Sequence, residues 1–201
     1  MGGHGEEQRR RMDIAAGAHV CAVSTGRAER DAVLVTFLGD GLSAGHKCLF
    51  GLNDRDPWQL VRGIGSPGEV DRGRASHQLE KLGGLDMRFT AEANSVDGML
   101  SVWAEAVTDS VAEGYDLARL GAEAAWWGPQ LDGDAAVLAE YESALNSFVA
   151  DNPVAILCMY DMRDCDGGQL IELMRTHPRL MIDGLTFDNP YQLEGANIRI
   201  P

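Results

Sequence analysis

The residues best placed for chemistry follow a short β-type segment, His19-Val20-Cys21-Ala22-Val23. It runs through Ser24-Thr25-Gly26 into Arg27-Ala28-Glu29-Arg30 and a helical pattern. A strand, a tight turn and a helix open the phosphate-binding α/β folds, where a P-loop reads GxxxxGK followed by Ser or Thr. Here the turn holds one glycine and no lysine, and Glu29 and Asp31 stand in the first helical turn. A helix start lined with carboxylates favours its own charges over a phosphate. The pattern predicts a nucleotide-binding architecture without nucleotide chemistry, which points to sensing rather than turnover.

The other predicted strands end on Asn53 and Asp54, on Glu123, on Tyr160 and Asp161, and on Asp188 and Asn189, with Trp126 and Trp127 close behind Glu123. Ligands of open parallel sheets lie beyond the carboxyl ends of the strands. One rim of carboxylates, hydroxyls and tryptophans is therefore expected, suited to a pocket with apolar walls and few polar anchors. Asp54, Glu123 and Asp161 are hard oxygen donors, yet no D-x-D or H-x-x-x-H spacing marks a metal site. Glu123 and Asp161 would serve a hydrolase as an acid/base pair, but no nucleophile elbow accompanies them. Asp161 reads equally as an Asx cap. His19 and Cys21 share one strand face, so a zinc or haem site with Cys48 or Cys158 is one reading. Three cysteines on buried strands describe an ordinary core as well, with His19 a hydrogen-bonded structural histidine. No catalytic residue, metal or cofactor is expected.

Several elements must position these groups. Residues 1–17 read as a flexible leader and 18–201 as a single domain with an irregular insertion near 63–93. Strands are expected near 19–23, 47–52, 117–122, 154–160 and 179–185. His77–Leu82 or Leu85–Phe89 would supply an edge strand. Helices are expected near 28–44, where Leu34, Leu38 and Leu42 form a stripe, at 57–61 behind Asp56-Pro57, and at 95–113 behind Ser95. Two more are expected at 135–150 behind Asp134 and at 168–176. Strand and helix alternate with helix-length crossovers. The fold class is therefore α/β, a mainly parallel central sheet of about five strands with helices on both faces.

Composition narrows the partners. With 17 Lys+Arg against 31 Asp+Glu the net charge is −14, which repels nucleic-acid backbones and anionic lipid heads. Arg9-Arg10-Arg11 is a local exception, read as part of a solvated leader. No signal peptide or membrane-length apolar run is visible. Four cysteines in buried-type segments and a loop fit reduced thiols, so a cytoplasmic protein is expected.

At these residues a family resemblance appears. HVCAVSTGRAERDAVLVTFLGDGLSAGHKCLF, Trp103, AEAAW at 122–126, YESALNSFV at 141–149, VAILCMYD at 154–161, THP at 176–178 and DNPY at 188–191 resemble the MEDS family. That is the methanogen/methylotroph and dichloromethane-regulator sensory domain. The resemblance implies a three-layer core similar to the RecA-like clock ATPases with the P-loop lost, and a bacterial small-molecule sensor of the kind fused to transcription factors or signalling domains. It implies no catalytic residues. No output domain is read in this chain, so a signal would pass to a protein partner in trans or through self-association as a homo-oligomer. The resulting expectation is a cytoplasmic, non-enzymatic sensor for a small organic ligand. Its ligand-binding candidates are His19, Cys21, Ser24, Glu29, Glu123, Trp126, Tyr160 and Asp161. A ligand-free scaffold and a Glu123/Asp161 hydrolase are the competing readings. Glu123 is expected to be partly buried beside a donor, with Arg119 one candidate.

Overall fold

A computed structural model describes residues 12, 14–52, 54–65, 67–82, 95–123 and 135–193. In chain order the elements are β1 His19–Ser24, α1 Arg27–Ser43, β2 Lys47–Gly51, α2 Pro57–Val61, α3 Pro67–Ala75, β3 Leu79–Lys81 and α4 Val96–Ala112. They continue with β4 Ala118–Glu123, α5 Ala135–Asp151, β5 Val154–Asp161, α6 Gly167–Thr176, β6 Arg179–Ile182 and β7 Leu185–Asp188. One seven-stranded sheet runs in the order β3-β2-β4-β5-β1-β6-β7. Every neighbouring pair is parallel except β6 with β7.

Parallel strands joined by helices bury both faces, and successive side chains alternate between them. On one face Cys21, Leu120, Ile156, Cys158 and Tyr160 pack under Met99, Trp103 and Val107 of α4, under Leu138, Tyr141 and Leu145 of α5, and under Leu173 of α6. On the other, Val20, Ala22, Phe50, Leu157 and Met159 pack under Val33, Leu34, Phe37 and Leu38 of α1, with Val61 and Val70 beside them. The α1 stripe read from the sequence is this buried face. Its close seat on the sheet needs Gly41, where a Cβ would lie 2.6 Å from both Arg119 Cδ and Cys48 Sγ. No helix among the described residues is long and apolar enough to cross a membrane.

The sheet departs from the expected five strands at both edges. Leu79–Lys81 adds β3 beside β2, within the His77–Leu82 alternative; Leu85–Phe89 lies outside the described residues. At the other edge, the single strand expected over 179–185 is two antiparallel strands. Asp183 and Gly184 both take positive φ, 52° and 69°. Paired positive φ values make the Asp-Gly turn whose twist suits a two-residue hairpin. The apolar spacing of Leu180, Met181, Ile182 and Leu185 hides that reversal. In the glycine-rich stretch where the sequence predicts no element, Pro67–Ala75 forms α3. A proline start, Glu69 in its first turn and Arg72 and Arg74 in its last all suit the helix dipole.

Caps follow the sequence unevenly. Ser95 accepts from the Gly98 amide at 3.0 Å, the bond expected of an N-cap. Asp56 stands at the N-cap of α2 but makes no side-chain cap bond, leaving proline at N1 as the start signal. Asp166 and Gln169 form a capping box at α6, so Asp161 does not cap that helix. Asp134 lies outside the described residues.

Candidate functional site

The connections diverge at the centre of the sheet. The chain leaving β1 turns through α1 toward β2, whereas the chain leaving β5 turns through α6 toward β6, on the other side of β1. Ser24 and Asp161, paired in register at the ends of these strands, flank the divergence. That is where an open α/β sheet offers a crevice.

At this rim the carboxylates are spoken for. Arg30, only 5% exposed, donates from Nη1 to Glu123 Oε1 at 2.7 Å and from Nη2 to Asp54 Oδ2 at 2.7 Å. Its Nε reaches Asp31 Oδ1 at 2.8 Å, and Arg27 pairs with the other Asp54 oxygen at 2.7 Å. Burial works against a charge on Arg30; the hydrogen bonds and charges of the three carboxylates outweigh it and hold the guanidinium cationic. Glu29 Oε2 accepts from the Thr25 amide at 2.8 Å and from the Thr25 hydroxyl at 3.1 Å. The turn that would cradle a phosphate therefore holds a carboxylate of its own chain. Asp161 accepts from the backbone amide and the guanidinium of Arg163, at 3.0 and 2.9 Å. The Arg163 hydrogen bond is the main cause that lowers its pKa. Asp161 thus binds its own loop.

A second constellation lies inside the core, on the face covered by α5 and α6. His19 Nε2 is 3.1 Å from Glu142 Oε2, and His177 Nε2 is 3.0 Å from the same oxygen. The Tyr160 hydroxyl donates to Glu142 Oε1, and Cys158 Sγ lies 3.4 Å from His19 Nε2. All five side chains are buried. Outside them, His19 Nδ1 meets Asn146 Oδ1 at 2.8 Å and His177 Nδ1 meets the Leu173 carbonyl at 3.0 Å. Burial opposes ionisation of Glu142, and the two imidazoles outweigh it, holding its carboxyl far below the usual carboxylate range. Burial, then His177, push the His19 pKa down. Burial, then Glu142, push the Cys158 and Tyr160 groups well up.

The predicted residues thus fall into two places. Ser24, Glu29, Glu123 and Asp161 sit at the rim, although the Ser24 hydroxyl is turned to the Tyr160 carbonyl at 3.3 Å. His19 begins β1 and so stands about 16 Å from the rim, five residues at ~3.3 Å each. Tyr160, placed at a strand end by its position, points instead into the core. Cys21 shares that face and is buried and protonated, its pKa raised first by burial. Cys48 faces the opposite core, against the Leu38 carbonyl, its thiol pushed up to about 12 by burial. Trp126 lies outside the described residues. Glu123 has its donor in Arg30; Arg119 turns instead to His46 and the Phe37 and Ile14 carbonyls.

Arg30, Glu142, Asn146 and His177 were not singled out from the sequence. Glu142 did leave a signal, a carboxylate at a buried position of the Leu138–Leu145 stripe, where unpaired charge is rarely tolerated. No curated protein matches the chain. The family model described as MEDS, the MEthanogen/methylotroph, DcmR Sensory domain, matches residues 18–178, and the chain belongs to that family of sensory domains.

Proposed function

We propose that this sensory domain takes as its input a small organic molecule of little charge, bound without turnover beside the rim, and that it acts in the cytoplasm. The observation that carries the reading is the double role of Glu29. Its carboxylate fills the phosphate position at Thr25, and the same residue lines a groove of about 460 Å³ between α1 and the β6–β7 hairpin. Met12, Ala32, Val33 and Leu185 give that groove apolar walls, and Thr36 and Asp183 add polar groups. The size and mixture suit a small organic ligand. A molecule seated there displaces or reorients Glu29 and so perturbs the turn joining β1 to α1. The readout passes to a protein partner or a second copy. Ile182, Leu185 and Phe187 on the hairpin, with Tyr191 and Leu193 after it, expose apolar surface there.

A thermal-shift panel tests the reading, because any ligand that binds the native state raises the midpoint. Uncharged organics are expected to stabilise the chain saturably, and Ala32→Trp, at an exposed position lining the groove, abolishes that response. A panel in which no organic molecule shifts the midpoint, or in which Ala32→Trp leaves the shift intact, overturns the groove. Deleting residues 192–201 tests the readout: loss of assembly at an unchanged midpoint supports it, whereas lost stability with assembly unchanged counts against it.

A further inference from the structure

We propose that His19, Glu142, Cys158 and His177 form a closed four-ligand site for a divalent transition metal, zinc before others. This inference stands on the buried core and is independent of the groove. One donor atom from each of the four residues lies within 4.8 Å of all the others, and all four residues are buried. They come from four elements: the start of β1, the middle of α5, the middle of β5 and the C-terminal cap of α6.

The outer hydrogen bonds fix what these donors present. Asn146 Nδ2 donates to the Thr176 carbonyl at 2.6 Å, so its oxygen faces His19. That oxygen and the Leu173 carbonyl only accept, so each histidine carries a proton on Nδ1. Both Nε2 atoms then turn toward one carboxylate oxygen. Neither Glu142 Oε2 nor His177 Nε2 has a directed hydrogen-bond partner, although they lie 3.0 Å apart. The Cys158 S–H serves His19 Nε2, but the lone pairs of His177 Nε2 and Glu142 Oε2 converging in a dry interior repel one another unless a proton or a metal cation stands between them.

The arrangement also has the form of a metal site. Zinc bonds of about 2.0–2.1 Å to N or O and about 2.3 Å to S place tetrahedral ligand pairs about 3.3–3.6 Å apart. Of the six ligand pairs, His177–Glu142, His19–Glu142 and His19–Cys158 stand 3.0, 3.1 and 3.4 Å apart, within a few tenths of that, and no pair exceeds 4.8 Å. Metal-bound histidines characteristically donate their second ring N–H to a carbonyl or carboxylate group, and both do so here; Tyr160 does the same service for Glu142. Imidazole, thiolate and carboxylate together suit zinc rather than calcium or magnesium. Four protein donors leave no open position, so the metal is structural, fastening α5 and α6 to the sheet. Binding replaces the Cys158 S–H bond with an S–metal bond and releases that proton to solvent.

The test uses the full chain, stripped with a chelator and titrated with cobalt(II), then zinc(II). One cobalt per chain is expected, with tetrahedral absorption and a thiolate charge-transfer band, displaced by one equivalent of zinc. Cys158→Ser is expected to remove the charge-transfer band. His177→Gln and Glu142→Gln are expected to weaken binding by more than about 100-fold, and Asn146→Ala, behind His19, by about 10–100-fold. Exposed His77→Ala serves as the control and changes nothing. Should the buried variants fail to fold, X-ray absorption on the unaltered zinc-loaded chain decides: one sulfur with nitrogen and oxygen neighbours supports the site. A chain that retains no stoichiometric metal, a metal shell without sulfur, or undiminished binding in His177→Gln overturns it.

Discussion

Arg30 shows how one side chain can settle the chemistry of a rim. It holds Glu123, Asp54 and Asp31 at once, so none of these three stands as a free base. Removing one member of a buried ion network leaves uncompensated charge, which costs more than the network itself contributes. Arg30→Ala is expected to lower stability by about 3 kcal/mol, the lower end of that range because Asp31 stays a third exposed. Urea unfolding checks it. A loss below ~1 kcal/mol would show that water screens the cluster. The residue types at the rim were readable in the sequence because strand ends are predictable. The pairing was not, because Arg30 and Arg119 are both plausible donors, and only the tight seat of α1 decides between them. His177 escaped for a related reason: a Thr-His-Pro step after a helix looks like a loop, and only the fold carries it back against His19 and Glu142.

Helices and strands with an uninterrupted buried face were legible, and those whose signals were local turns were not. β5, buried from Val154 to Tyr160, and α1, with its stripe of leucines, are fixed by burial on a long scale. The β6–β7 reversal depends on two residues, Asp183 and Gly184, and the surrounding apolar run masks them. The α1 packing gives a prediction against simple propensity. Alanine exceeds glycine inside a helix by about 1 kcal/mol, so Gly41→Ala should stabilise an isolated α1. In the folded chain the added Cβ meets Arg119 Cδ and Cys48 Sγ at 2.6 Å. Arg119 is itself tied to His46 and two carbonyls. Overpacking of this kind costs about 1–3 kcal/mol, so the net effect is expected to be a loss. A calorimetric midpoint that rises in Gly41→Ala would mean that Arg119 moves aside at little cost.

For the whole molecule, the parallel sheet with two covered faces followed from alternation of strand and helix, but the strand order did not. Nothing in the spacing of the segments places β1 between β5 and β6; that order is set by which helix faces bury against which strands. The order matters because it sets Ser24 beside Asp161 at the rim where the connections diverge, and charge then decides what that rim admits. Around it stand Glu29, Asp31, Asp54, Glu123 and Asp161 against Arg27, Arg30 and Arg163, on a chain of net charge −14. The Thr25 amide, which a phosphate would need, already serves Glu29. Magnesium-ATP and magnesium-GTP at millimolar concentration are therefore expected to leave the melting midpoint unmoved, and the chain is expected to release no phosphate. Glu29→Gln removes the competing charge but supplies no lysine to reach the β- and γ-phosphates, so it too should stay inactive. Magnesium-dependent phosphate release that disappears in Asp161→Asn would show that the rim turns over nucleotides despite its own carboxylates.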